Sequence, residues 1–270
     1  WQYTLEAEKY FEDSTAVNSS SLRKILKSPM AFYSDFFYKI KEPPTEAMKF
    51  GSAVHLAILD YPKFSSCYVV QPDFGNLRTN VGKAARDEWK ASLAADALVI
   101  TKDDLEVITA MAENITKHKD ACILLKNGKT EASGFYNDPV TGIRCKIRPD
   151  FLSFDLMALV DLKTTQDCTR NEFSKSIWNY RYDFQMAMYS EGIKILTGKK
   201  VEYVAFIALE KSPPYEVAVY IADELMIETG ATDYRKALDR LDKCLKTEKW
   251  DSYQEQMQNI GLPAWAMYQE

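Results

Sequence analysis

Met157-Ala158-Leu159-Val160-Asp161-Leu162-Lys163-Thr164 is an apolar, β-prone run carrying two charges. In a strand, residues i and i+2 project to the same face. Asp161 and Lys163 therefore stand side by side while Val160 and Leu162 face the other way. Charged side chains in a core-type strand are costly unless they are paired or bind a metal. Eleven residues before Asp161, Arg148-Pro149-Asp150 ends a second strand-like run over 142–150. Two hairpin strands would bring both acids together. Carboxylate oxygens are hard ligands that suit Mg²⁺ or Mn²⁺. A lysine beside them can orient an attacking water or stabilise developing phosphate charge. The triplet alone is not diagnostic, because Glu88-Trp89-Lys90 has the same form. That one lies in a stretch that reads as helix, where i and i+2 do not face each other. The plain alternative for Asp161 and Lys163 is a surface salt bridge; the apolar strand around them argues for chemistry.

Working outward, residues 130–136, 143–151 and 157–164 read as consecutive strands, the first two joined by a turn at 137–142. Further strands are expected at 68–70, 201–209 and 215–221. The last two pair through Ser212-Pro213-Pro214. Helices are expected at 46–59, from about 82 to 95, and at 103–119, 171–180, 183–196 and 223–245. Near the start, Asn18-Ser19-Ser20-Ser21 precedes Leu22, Ile25 and Leu26 at helical spacing, with the serines as N-caps. Ser28-Pro29 interrupts that helix, and an aromatic-rich one follows to about residue 38. The order predicts an α/β (α+β) fold, a central mixed β-sheet flanked by helices. No linker or repeat divides 1–270, which reads as one domain. The chain starts at Trp1, as a C-terminal fragment of a longer polypeptide would.

Hydrophobic residues make up 46% of the chain and charged ones 27%, ordinary for a globular protein with a sizeable core. The net charge of −5 carries no global nucleic-acid signature, so any DNA binding must come from a local basic surface. Five cysteines are scattered without a C-x-x-C pair. That fits reduced thiols in a cytoplasmic protein and argues against a zinc ribbon or an iron–sulfur cluster. Neither a signal peptide nor an apolar run long enough to span a membrane is visible.

These motifs, taken in order, resemble the RecE-type exonucleases, the C-terminal nuclease domain of exodeoxyribonuclease VIII, within the PD-(D/E)xK superfamily. The resemblance covers nearly the whole chain. It rests on Asn18-Ser19-Ser20-Ser21-Leu22, Phe50-Gly51-Ser52-Ala53-Val54-His55 and Arg78-Thr79-Asn80-Val81-Gly82-Lys83. It continues through the run from Asp138 to Asp150, then Asp161-Leu162-Lys163-Thr164-Thr165 and Tyr180-Arg181-Tyr182-Asp183-Phe184-Gln185 with Tyr189. It ends at Leu262-Pro263-Ala264-Trp265-Ala266. The acid–acid–lysine core is promiscuous; the ordered combination is specific.

The resemblance implies a restriction-endonuclease-like core in which Asp150 and Asp161 bind catalytic divalent metals and Leu162 lends its backbone carbonyl. His55 is implied as a further metal ligand or an edge of the site, and Lys163 as the residue that orients the water. Gln185 and Tyr189 match a Q-x-x-x-Y element that borders the DNA backbone in the RecB-like branch; read without it, they are a packing pair one helical turn apart. The cysteine cluster of that branch is absent. Several residues keep two readings. Glu131 is an outer-shell carboxylate or a surface strand charge. Lys146 and Arg148, like Arg144 and Lys146, share a strand face that lines a DNA groove or is solvated. Ser20 and Ser21 hold a 5′-phosphate or cap a helix. Arg78 and Lys83 contact phosphate or sit in solvated positions, and Thr164 is a DNA-contact candidate beside Lys163. His118 reads as structural. The implied activity is Mg²⁺-dependent (Mn²⁺ as substitute) 5′→3′ resection of linear double-stranded DNA. The implied partners are further copies in a trimeric or tetrameric ring and a RecT-like strand-annealing recombinase. A nuclease of other polarity, an endonuclease and a non-catalytic DNA-end-binding module are the alternatives.

Overall fold

The structure is a computed structural model, and it describes residues 5, 7–39, 43–95, 97–155, 157–253 and 257–263. Of the expected motifs, Ala264, Trp265 and Ala266 lie outside the described residues.

The N-terminal part is helical: α1 (Ala7–Glu12), α2 (Ser19–Leu22), α3 (Lys24–Lys27), α4 (Pro29–Phe36), α5 (Glu46–Leu59) and α6 (Tyr61–Cys67). The punctuation is local. Ser28 Oγ accepts from the Ala31 N–H and Pro29 opens α4, while Thr45 Oγ1 accepts from the Met48 N–H to start α5. Asn18, not a serine, caps α2. Its Oδ1 accepts from Ser21 N–H at 2.8 Å and Ser21 Oγ accepts from Asn18 N–H at 3.1 Å. Next come β1 (Tyr68–Val70), α7 (Asn80–Ser92), β2 (Leu98–Ile100), α8 (Lys102–Lys117) and α9 (Lys119–Leu124). Strand β2 and helices α1, α6 and α9 are elements the sequence reading did not anticipate. β2 pairs in parallel with β1 as a small separate sheet. His118 is indeed structural: its Nδ1 accepts from the Ala121 N–H and caps α9.

The central part holds β3 (Gly128–Thr130), β4 (Gly134–Asn137), β5 (Arg144–Ile147), β6 (Phe151–Ser153) and β7 (Ala158–Thr165). After α10 (Arg170–Tyr180) and α11 (Tyr182–Thr197) come β8 (Tyr203–Glu210), β9 (Val217–Ile221) and α12 (Glu224–Thr247). The main sheet has the order β3-β6-β7-β8-β9, with β7 and β8 parallel and the other pairs antiparallel, so it is mixed as expected.

Two strands expected to be continuous are broken. The hairpin pairs Thr130 with Phe151 and Gly134 with Ile147, in one register, but the ladder lapses over 131–133 and 148–150. Pro149 has no N–H to give to a ladder. Glu131, opposite Asp150, adopts a left-handed φ of 47°, and its N–H donates the one remaining backbone bond across the gap, to the Asp150 carbonyl at 3.0 Å. The outer half, β4–β5, becomes a two-stranded sheet of its own.

β7 and β8 are buried on both faces, which gives them near-continuous apolar sequences. Leu159, Val204, Phe206 and Ala208 face the core shared with α11 and α12. Val160, Leu162, Ala205, Ile207 and Leu209 face the core shared with α5 and α8. Helix α12 crosses α11 closely at Gly230, where a Cβ would meet the Asp183 carbonyl oxygen at 2.2 Å. Among the described residues, no helix is long and apolar enough to cross a membrane.

Candidate active site

The break in the hairpin makes the site. β6 begins at Phe151, opposite Val160, so Asp150 lies just off its end. There the Asp150 side chain takes over the role of a strand: its Oδ2 accepts from Leu162 N–H at 2.9 Å. Asp161 and Lys163 project from β7 toward α11, as the period of two requires. Lys163 Nζ sits 2.5 Å from Asp161 Oδ2. Gln185, on the first turns of α11, donates from Nε2 to Asp161 Oδ1 at 3.1 Å. Tyr189, one turn further, is buried within electrostatic reach of both carboxylates and hydrogen-bonds to Ser19. From α5, His55 Nδ1 lies 3.5 Å from Asp150 Oδ2, and the ring is also hydrogen-bonded to the Leu162 backbone. The sequence reading thus named five side chains, on three elements and one strand break, that do come together: His55, Asp150, Asp161, Lys163 and Gln185.

Burial sets the electrostatics. It pushes the Asp161 carboxyl up to about 6, against the pull of Lys163, and moves Asp150 in the same direction. Burial and the Lys163 ammonium together drive His55 down to about 4, so its imidazole is neutral. Burial alone would discharge Lys163, but Asp161 and Asp150 outweigh it and hold the ammonium charged. The phenol of Tyr189 is pushed up to about 12, first by burial and then by the carboxylates. Two carboxylates against one ammonium leave an excess of negative charge in a dry place.

That excess fits a divalent cation. Asp161 Oδ2 is fully buried, and its close partner among the described residues is the Lys163 ammonium, a charge-assisted contact. The donor set is oxygen-rich, with a neutral imidazole at its edge. The ligand atoms of His55, Asp150 and Asp161 do not all lie within 4.8 Å of one another; among the described residues Cys168, Glu210 and Glu216 are the trio that does. That trio is a hydrogen-bonded corner. Cys168 N–H donates to Glu210 Oε1 at 2.8 Å, and burial pushes the thiol up to about 12, so it keeps its proton.

Other candidates belong to the architecture. Lys146 does not line a groove: its side chain is buried, and Nζ donates to the Tyr10 carbonyl at 2.5 Å and the Asp13 carbonyl at 2.7 Å. Arg148 donates to Leu5 O, Ser133 Oγ and Glu131 Oε2 at 2.9, 2.6 and 3.0 Å. Leu5, Tyr10, Asp13 and Val17 lie over the strand face on which these cations were expected to be open. Glu131, in pairing with Arg148, still contributes its charge to His55 and Asp150, so it stands behind the site. Ser21 is occupied by the capping box, Ser20 is exposed, and α2 is a single turn; a phosphate seat at this helix start is not formed. Arg78 is exposed on the loop before α7, and Lys83 is exposed within α7. Thr164 is half-buried on the opposite face from Lys163, 3.6 Å from where a Cβ on Gly51 would sit. Unforeseen was Tyr182, whose ring lies 4.7 Å from Lys163 Nζ. It stands at the start of α11, inside the Tyr180–Gln185 motif, but only the fold places it against β7.

No curated protein matches the chain by sequence. Among solved structures, a "Putative exonuclease" from Eubacterium rectale superposes with a TM-score of 0.63, at 12% identity, covering 98% of each chain. A phage related exonuclease from Haemophilus somnus covers 87% of this chain and 96% of its own, at 13% identity and a TM-score of 0.35. At such identities the first likeness is one of fold. Residues 18–262 match the PDDEXK-like domain of unknown function (DUF3799), and with the acids and lysine of β6–β7 in place the chain belongs to that family.

Proposed function

We propose that this protein is a metal-dependent exodeoxyribonuclease that hydrolyses one strand of linear duplex DNA, 5′→3′, and leaves a 3′ single-stranded tail. The observation that carries the reading is the buried Asp161 carboxylate. It is fixed on Oδ1 by Gln185 and paired on Oδ2 with a charged Lys163, and a second buried acid, Asp150, shares that one ammonium. A buried acid in that condition suits a task in chemistry better than one in folding. The Eubacterium rectale protein of like fold is itself described as a "Putative exonuclease".

Asp150, Asp161 and the Leu162 carbonyl would hold Mg²⁺ or Mn²⁺, with neutral His55 at the edge. Such a cation supplies charge neutralisation at the phosphate and acidifies a water. Gln185 keeps Asp161 turned so that Oδ2 faces inward. Lys163, pinned between Asp161 and the Tyr182 ring, is placed to orient the attacking water and to meet charge developing on the phosphate. Polarity, the trimeric or tetrameric ring and the RecT-like annealing partner follow from the RecE-type resemblance.

Duplexes labelled at the 5′ or the 3′ end and a covalently closed circle, digested with Mg²⁺ and with chelator, test this. The 5′ label is released first, the circle survives, and chelator stops the reaction. Cutting of the circle at a rate comparable to linear DNA makes the protein an endonuclease. Early loss of the 3′ label reverses the polarity. End binding without cleavage in Mg²⁺ makes it a binding module.

A further inference from the structure

A polar cavity of about 290 Å³ opens beside Lys163, and none of the roles above uses it. Its lining includes Thr164, Ser176, Asn179, Tyr180, Tyr182 and Lys211. Tyr182 separates it from the active site, with Lys163 Nζ 4.7 Å from its ring. Tyr180 stacks on Tyr182, centroids 5.7 Å apart and planes 24° apart, so one wall is aromatic.

The charges in this cavity are unequal in their state. Its acids are engaged: Glu172 pairs with Lys175 at 2.6 Å, and Asp167 Oδ1 accepts from Thr169 N–H at 2.7 Å. Lys211 is half-buried just past the end of β8, held there by its backbone N–H, which donates to the Thr165 carbonyl at 3.1 Å. Among the described residues its ammonium has no ion-pair or hydrogen-bond partner, and the same holds for the side chains of Thr164, Ser176 and Asn179. A half-buried cation with Ser176 and Asn179 beside it offers a seat to an anion that accepts several hydrogen bonds. A phosphodiester is such an anion, and phosphate contacts position a nucleic acid without reading its sequence.

We propose that Lys211, supported by Asn179 and Ser176, binds a phosphate of the strand being cut, next to the scissile one. The proposal rests on the reading of this chain as a DNA nuclease. Lys211 fixes the strand's position; it is not a catalytic residue.

The test is a cycle between protein and DNA. Binding of a labelled duplex is measured in Ca²⁺ against salt, and cleavage in Mg²⁺, for the wild type, Lys211→Gln and Lys211→Arg. Each is run on DNA with its phosphates intact or with one neutral methylphosphonate linkage stepped along the strand. Lys211→Gln weakens binding roughly tenfold and lowers the salt slope by about one, the signature of a lost phosphate contact. It raises KM with kcat within about twofold, as loss of uniform binding does, and Lys211→Arg recovers most of the loss. A methylphosphonate beside the scissile position weakens wild-type binding but adds nothing to Lys211→Gln, because the two changes remove one contact. An unchanged affinity and salt slope in Lys211→Gln, or losses that add at every linkage, overturn the subsite. A wild type that binds with this Lys211 dependence yet cuts nothing sinks the nuclease reading and leaves the subsite standing. A wild type that binds no DNA removes both.

Discussion

Two lysines on different sheets of the fold, Lys146 and Lys163, are drawn into the interior and held in opposite ways. Lys146, on β5, gives its protons to backbone carbonyls of residues 10 and 13 and rests 4.6 Å from the Tyr10 ring. Lys163, on β7, also rests on a tyrosine ring, 4.7 Å from Tyr182, but its polar neighbour is the buried Asp161 carboxylate, with Asp150 close behind. Around Lys146 the acceptors are fixed parts of the main chain, and the ammonium ties the N-terminal segment to the sheet. Around Lys163 the partners are titratable, and two carboxylates share one ammonium. A buried charge bonded to fixed backbone is architecture; a buried charge facing an excess of acids with raised pKa values marks chemistry. Substitutions can break that contrast.

The largest effect is expected at the buried acid of β7. Asp161→Asn keeps shape and the Gln185 contact but removes the charge. Cleavage in Mg²⁺ should fall on the order of 10³-fold or more, while the circular dichroism spectrum and a cooperative melt persist. Digestion near the wild-type rate would remove Asp161 from the site. Lys163→Ala should come next, losing roughly 10²–10³-fold in kcat with DNA affinity in Ca²⁺ unchanged, because its role lies in the transition state. If affinity drops as far as turnover does, Lys163 is a phosphate anchor instead.

Lys146→Met inverts the pattern. It leaves two buried carbonyls without their donor and should cost about 2–4 kcal/mol of stability by denaturant melts. The protein that remains folded should cut DNA at close to the wild-type kcat. A stable Lys146→Met with weakened DNA binding would restore the groove reading that the buried side chain contradicts.

The two lysines also mark how far the sequence can be read. Period-two alternation places Asp161 and Lys163 on one face of β7, and Pro149 marks where its neighbour must stop; both are local facts. Alternation says equally that Lys146 and Arg148 share a face, but not that Leu5, Tyr10 and Asp13 lie over it. That covering is a long-range contact with no local signal. Asn18 and Ser21 carried a legible capping pattern at a spacing of three, yet the run of serines drew the cap one residue too far. β2 was unreadable for a similar reason: three residues, two of them exposed, become a strand only by pairing with Tyr68–Val70. Lys211 belongs to no motif and gains meaning only from the cavity that the end of β7 and the last turns of α10 form around it.

The smallest expected effect sharpens the contrast most finely, because it concerns a neutral residue. Gln185 donates to Asp161 Oδ1 and is half-buried, so it is either a packing neighbour of Tyr189 or the group that aims the carboxylate. These roles predict different losses. A packing residue on a helix surface contributes to stability, and its removal leaves kcat alone. A group that orients a ligand typically costs 10–100-fold in metal affinity or activity when lost. Gln185→Ala should therefore raise the Mg²⁺ concentration needed for half-maximal cleavage roughly tenfold, with little change in melting temperature. Gln185→Glu should be worse than Gln185→Ala, because it brings a further carboxylate against Asp161, where like charges already push the acids up. If Gln185→Ala melts early but cuts at the wild-type Mg²⁺ concentration, Gln185 sides with Lys146 as architecture. The working site then narrows to the hairpin acids, His55 and Lys163.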